Sequence, residues 1–136
     1  QKLWFKTASA DPAKLVFAIT VKRTGRHVGN ISLHAITARN HNAALNIFIG
    51  DPADRGKGYA REAIMLLLGH CFDSLGMNRV YLTLHSENET ALRLYKLCGM
   101  KKEGLLREHE CYSGKYVDKI VMGILKSEFN ANEIKG

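Results

Sequence analysis

Residues 51–61, DPADRGKGYAR, decide how the rest of the chain is read. A strand-like run, Ala44 to Gly50, leads into them, and an amphipathic helix starts directly behind them. The order is therefore strand, glycine-punctuated loop, helix. Gly56 and Gly58 let the backbone turn tightly and approach a ligand closely. The first N–H groups of a helix lack intrahelical acceptors, and the helix dipole favours an anion beside them. Arg55 and Lys57 add positive charge. Together these features describe a seat for a phosphate or diphosphate.

Behind the loop, Ala60, Ala63, Ile64, Leu67, Leu68, Cys71, Phe72 and Leu75 fall on one stripe, which predicts a helix from about Gly58 to Leu75. Gly76 stands where a left-handed cap would close it. Val80 to His85 reads as a strand. A second helix follows to about Leu97, with Ser86 and Glu89 spaced as a capping box and Gly99 as its stop. Two strands, about Lys102 to Cys111 and Tyr116 to Leu125, flank a Ser113-Gly114 turn. On the N-terminal side, Val16 to Lys22 and His27 to Ile36 read as a strand pair across Thr24-Gly25-Arg26. Arg39 to Asn42 reads as a polar turn and Asp11-Pro12 as another. Trp4 to Thr7 reads as the tail of a helix or a lead-in segment. Helices and strands alternate in the middle and strands pair at both ends. This is an α/β chain, in the α+β sense of a mixed sheet with helices packed on it.

The 136 residues suit one domain, 1–136, and 46% apolar content is ordinary for a globular chain. No apolar run approaches the ~20 residues that span a bilayer, and the N-terminus carries no signal-peptide pattern, so no membrane partner is expected. Net charge is +7, which suits an anionic ligand or an RNA partner. The basic residues are scattered, so a solvated basic surface explains them as well. Cys71, Cys98 and Cys111 show no C-x-x-C spacing and read as thiols in a reducing, cytoplasmic compartment. No histidine or cysteine spacing suggests a metal site.

Two common phosphate motifs do not fit. A P-loop needs a hydroxyl residue after the lysine, and Gly58 follows Lys57. The dinucleotide fingerprint needs a third glycine where Arg61 stands. The run Arg55-Gly56-Lys57-Gly58-Tyr59-Ala60 does match [QR]-x-x-G-x-[GA]. Beyond it come the strand Val80 to Leu84, then Asn88, Ala91, Tyr95 and Gly99-Met100. With IGDPADRGKGYAREAI and ENETALRLYKLCGMKKEG in this order, the chain resembles the GNAT superfamily of acetyl-CoA-dependent N-acetyltransferases over about Lys14 to Leu125. More narrowly it is similar to the branch of RimJ/RimL-type ribosomal-protein and spermidine acetyltransferases.

The resemblance implies a mixed sheet whose parallel strands, Ala44 to Ile49 and Val80 to His85, splay apart, with antiparallel strands beside them and helices on both faces. It implies pantetheine contacts at the backbone of Phe48, Ile49 and Gly50, and a diphosphate held by Arg55, Gly56, Lys57, Gly58, Tyr59 and Ala60. Asn88 and Ala91 join the coenzyme site, and Tyr95 becomes the donor of a proton to the leaving thiolate. From spacing alone, Tyr95 reads equally as a packed core residue and Asn88 as a helix cap. Family members usually begin with a strand and two helices before the segment seen here, so that portion is expected to be missing. Ala44 stands where a glutamate base often sits, which leaves His34, His85, Glu87 or a water relay. The implied activity is acetyl transfer from acetyl-CoA, without a metal, to a primary amine. The acceptor is a protein N-terminus, ribosomal or other, a polyamine, an amino sugar or a small amine. A homodimer is one expected assembly. The alternative is a non-catalytic coenzyme A-binding module or a basic RNA- or ribosome-associated one.

Overall fold

A computed structural model describes the backbone of residues 3–11 and 14–135 and the side chains of residues 3–7 and 14–130. The strands are β1 (Leu3–Asp11), β2 (Lys14–Val21), β3 (His27–Thr37), β4 (Asn42–Ile49), β5 (Arg79–His85), β6 (Lys101–Tyr112) and β7 (Lys115–Leu125). The helices are α1 (Tyr59–Asp73), α2 (Glu89–Leu97) and α3 (Lys126–Lys135), and a short 3-10 turn covers Pro52–Asp54. All seven strands form one sheet in the order β1-β2-β3-β4-β5-β7-β6. Among the described strands, β4 and β5 are the one pair of neighbours that runs parallel. Parallel neighbours need a crossover, and α1 supplies it. This is the mixed sheet with one splayed parallel pair that the resemblance implies.

Where the sequence suggests a helix tail at Trp4 to Thr7, the structure has strand β1, paired antiparallel with β2 from Leu3↔Val21 to Asp11↔Lys14. The reason is a two-residue alternation that four residues could not declare: Leu3 is fully buried and Trp4 is exposed. The predicted Asp11-Pro12 turn lies partly outside the described residues. The Ser86–Glu89 capping box does not form. Asn88 caps α2 instead, its Oδ1 accepting the Ala91 N–H at 3.1 Å. Helix α3, absent from the sequence reading, continues β7 and packs Phe129 on Phe72 of α1, ring centroids 5.3 Å apart.

One apolar cluster holds these parts together. Ala63, Ile64, Leu67, Leu68, Cys71 and Phe72 of α1 are at most 1% exposed, so the middle of the stripe is inside, while Ala60 at its start and Leu75 beyond the helix end are partly exposed. They meet Ile19, Ile31, Leu33, Leu45, Val80, Leu82, Ile120, Met122 and Ile124 from the sheet. Burying each large side chain contributes about 1.5–3 kcal/mol. That anchorage fixes α1, and so its N-terminus, against β4. Helix α1 adjoins both α2 and α3. The described helices, α1 to α3, gather on one face of the sheet. Side chains of the other face, such as Asn46, Phe48 and Thr83, are exposed.

Candidate functional site

Strands β4 and β5 pair only at Asn42↔Arg79, Ala43↔Val80 and Ala44↔Tyr81. Past Ala44 they diverge, β4 staying with β3 as far as Ile49 and β5 staying with β7 as far as His85. The sheet therefore splits at the carboxyl ends of its two parallel strands, where open α/β sheets bind ligands. A cleft of about 610 Å³ opens there. Its walls are Ile47, Phe48 and Ile49 of β4, the loop residues Asp54, Arg55, Gly56 and Gly58, the start of α1, and Asn88, Ala91, Leu94 and Tyr95.

The loop has the geometry of an anion cradle. Gly56 (φ 76°) and Gly58 (φ 80°) both lie in the left-handed region. A Cβ added at either would meet nothing within 4 Å, so the space in front of them is open. Gly58 is the N-cap of α1 and makes no side-chain cap, so among the described residues the opening N–H groups at the cleft have no capping side chain. Arg55 and Arg61 stand in the same wall.

The loop is tethered from outside. Arg26 donates to both Asp54 oxygens, from Nη1 at 2.9 Å and from Nη2 at 2.7 Å. These bonds hold the Asp54 carboxyl below its usual range. The Asp54 side chain is only 3% exposed and borders the cleft, so an unmatched carboxylate there would repel a phosphate. Arg26 cancels that charge and ties the 3-10 turn to the β2–β3 hairpin. The two residues stand 28 positions apart, and no local pattern announces their meeting.

Tyr95 projects from α2 into the cleft wall, and its hydroxyl has no hydrogen-bond partner among the described residues. Burial pushes its phenol pKa above the usual value, with the Cys98 sulfur acting in the same direction. The group therefore stays protonated at neutral pH and has a proton to donate. Asn88 serves as helix cap while also lining the cleft.

Of the residues named from sequence, Phe48, Ile49, Arg55, Gly56, Gly58, Tyr59, Ala60, Asn88, Ala91 and Tyr95 come together in this cleft. Lys57 and Gly50 are not in its wall. The Gly50 N–H is spent on the Val28 carbonyl at 3.0 Å. Ile47, Asp54, Arg61, Thr90 and Leu94 line it without having been singled out, although each directly flanks a residue that was. Ala44 and His34 face a second cavity of about 310 Å³ instead. His85 is bound through Nε2 to Glu110 at 2.9 Å, and Glu87 is an exposed partner of Lys115 at 3.7 Å. Among the described residues no group of three His, Cys, Asp or Glu is placed to hold a metal ion, and no helix is long and apolar enough to cross a membrane.

Comparison with known proteins agrees with this geometry. A family model described as an acetyltransferase (GNAT) domain matches residues 1–101. An uncharacterized N-acetyltransferase p20 of Bacillus licheniformis is 33% identical over 113 residues, covering 83% of this chain and 63% of that protein. A spermidine N(1)-acetyltransferase of Vibrio cholerae is 35% identical over 102 residues, covering 75% of this chain and 58% of that protein. The chain thus spans less than two thirds of the length of these relatives. Among solved structures, a spermidine/spermine N-acetyltransferase of Vibrio cholerae in complex with manganese ions superposes with a TM-score of 0.84 at 32% identity, over 90% of this chain and 71% of that one. A dodecameric spermidine N-acetyltransferase from the same organism gives a TM-score of 0.82 at 33% identity, over 88% and 68%.

Proposed function

The chain belongs to the acetyltransferase (GNAT) family, and from that premise we propose that it transfers the acetyl group of acetyl-CoA directly to a primary amine. The observation that carries this reading is the cleft itself: an open anion cradle at the start of α1 lies in one wall with a split sheet edge and a protonated tyrosine. A diphosphate fits the cradle, since free N–H groups, Arg55 and Arg61 all supply positive potential. The pantetheine arm fits the gap beside Ile47, Phe48 and Ile49. The unpaired edge of β4 there offers backbone groups to an extended chain.

In the reaction the neutral amine nitrogen attacks the thioester carbon, the carbon–sulfur bond breaks, the amine sheds one proton and the thiolate takes one up. The protein's largest contribution is alignment of amine and thioester. Tyr95 is the donor to the departing sulfur. Within the family we place the chain in the branch of ribosomal-protein and spermidine acetyltransferases; relatives named spermidine N(1)-acetyltransferase support its spermidine side. A ribosomal or other protein N-terminus, a polyamine, an amino sugar or a small amine are its acceptor classes. A homodimer is the assembly we propose, and three free thiols suit a cytoplasmic setting.

Tyr95→Phe tests the assignment. It removes the proton and little volume. Turnover with a responsive amine should fall by about a hundredfold, while the acetyl-CoA dissociation constant stays within about twofold. Unchanged turnover would remove Tyr95 from the chemistry. No binding of acetyl-CoA to the unaltered chain would remove the reading as a whole.

A further inference from the structure

The second cavity adjoins the first along β4: its wall runs through Ala44, Leu45 and Asn46, and the cleft resumes at Ile47. It opens where β4 leaves β5, since Tyr81, Leu82 and Thr83 form its other side. Lys119 and His34 complete the polar lining. We infer that this cavity receives the amine acceptor and selects one whose remaining charge is negative, an amino-acid-like amine, over a polyamine. This rests on the proposed acetyl transfer and narrows its acceptor.

The lining holds no carboxylate. The carboxylate that meets Lys119, Glu110, stands outside the lining and already accepts from His85 Nε2 at 2.9 Å through Oε1 and from Lys119 Nζ at 2.9 Å through Oε2. Tyr81, whose ring could hold an ammonium, already carries the Arg79 guanidinium 5.2 Å from its centroid. A polyamine would thus find neither a free acid nor a free aromatic face, and would meet the Lys119 ammonium. An anionic group finds donors instead. Lys119 is 15% exposed and spends one of its three N–H donors on Glu110. Asn46, Thr83 and Tyr81 add an amide and two hydroxyls. The same ammonium helps the chemistry, because a nearby positive charge disfavours the protonated form of the incoming amine. With Ala44 in the wall, no side-chain base stands at that position, and lowering the acceptor's own proton affinity lightens the task.

Three acceptors of matched length separate the cases: ε-aminohexanoate, hexylamine and hexamethylenediamine, each assayed for kcat/KM at saturating acetyl-CoA, with acetyl-CoA binding measured in parallel by calorimetry. The aminohexanoate should exceed the diamine by about tenfold, the scale of one partly screened attraction exchanged for a repulsion. Lys119→Met should shrink that ratio to within about threefold without altering acetyl-CoA affinity. Asn46→Asp, at an exposed position that tolerates change, should move the preference toward the diamine. A diamine used as well as or better than the aminohexanoate overturns the inference. So does bound acetyl-CoA with turnover of none of the three, which leaves the coenzyme site standing. Absence of acetyl-CoA binding overturns this inference together with the proposed function.

Discussion

Replacing Gly58 by alanine perturbs the cradle at a point where strain and ligand contact can be separated. Gly58 sits at φ 80°, ψ 6°. A residue with a Cβ loses about 1–2 kcal/mol in that left-handed conformation. No neighbour lies within 4 Å of the added Cβ, so no steric term adds to this in the free protein. The expected loss of stability is about 1 kcal/mol, or a fall of roughly 3–5 °C in Tm for a chain of this size. Ligand binding should suffer more. The methyl group stands in the cleft in front of the N–H groups that would meet a phosphate. Losing one charge-assisted hydrogen bond costs about 1.5–3 kcal/mol, which is about ten- to a hundredfold in the acetyl-CoA dissociation constant. Gly114→Ala is the control. Gly114 has φ 75° and equally open surroundings, but lies in the β6–β7 turn away from the cleft. It should lose the same stability and no affinity. Melting curves and calorimetric titration of both variants with acetyl-CoA read the two quantities separately. Unchanged affinity in Gly58→Ala, or an equal loss in Gly114→Ala, would refute the assignment of the cradle.

Three further outcomes follow from the packing and the charges. Burial drives the Cys71 thiol to about 12 and the Cys98 thiol to about 11, while Cys111 is exposed. Native protein treated with iodoacetamide at neutral pH should gain one adduct, at Cys111, by mass spectrometry, and all three only after denaturation. Hydrogen bonds from Arg26, from His85 and Lys119, and from Lys101 hold Asp54, Glu110 and Glu128 respectively below their ordinary carboxylate values. A depressed carboxylate stabilises the fold fully above its unfolded value and loses that contribution as pH falls through the folded one. Urea midpoints should therefore be flat above about pH 5 and fall on acidification below about pH 4, with a shallower fall in Glu110→Gln. Phe129→Ala should cost about 3–5 kcal/mol, because a ring only 2% exposed leaves a hole against Phe72. A loss below 1 kcal/mol by chemical denaturation would mean that α3 is not docked as described.

How much could be read before the structure differs from element to element, for local reasons. Helix α1 was legible because its apolar stripe is long and periodic, and the observed buried residues are the ones the stripe names. The loop was legible because glycine spacing and a following helix start are properties of consecutive residues. Strand β1 was not, since four residues of alternation at a chain end resemble a frayed helix as much as an edge strand. Helix α3 was missed because its pattern is weak and Phe129 is its single buried side chain among those described. The sequence left the start of α2 between a Ser86–Glu89 capping box and Asn88, which performs the capping: both residue types can cap, and only the backbone path says which one stands at the turn.

Sequence alone determined the order of elements from β2 to β7, the glycine-punctuated loop, the helix behind it and the tyrosine on the next helix, because each is written in neighbours along the chain. Tertiary structure decided the rest. It brought Arg26 onto Asp54 across 28 positions, took Gly50 out of the cleft by pairing its N–H with Val28, and set Lys119 and His34 around one cavity. Those meetings depend on strand register and on where β4 and β5 stop pairing. Both are properties of a whole sheet closed over a common core, and no short window of residues contains them.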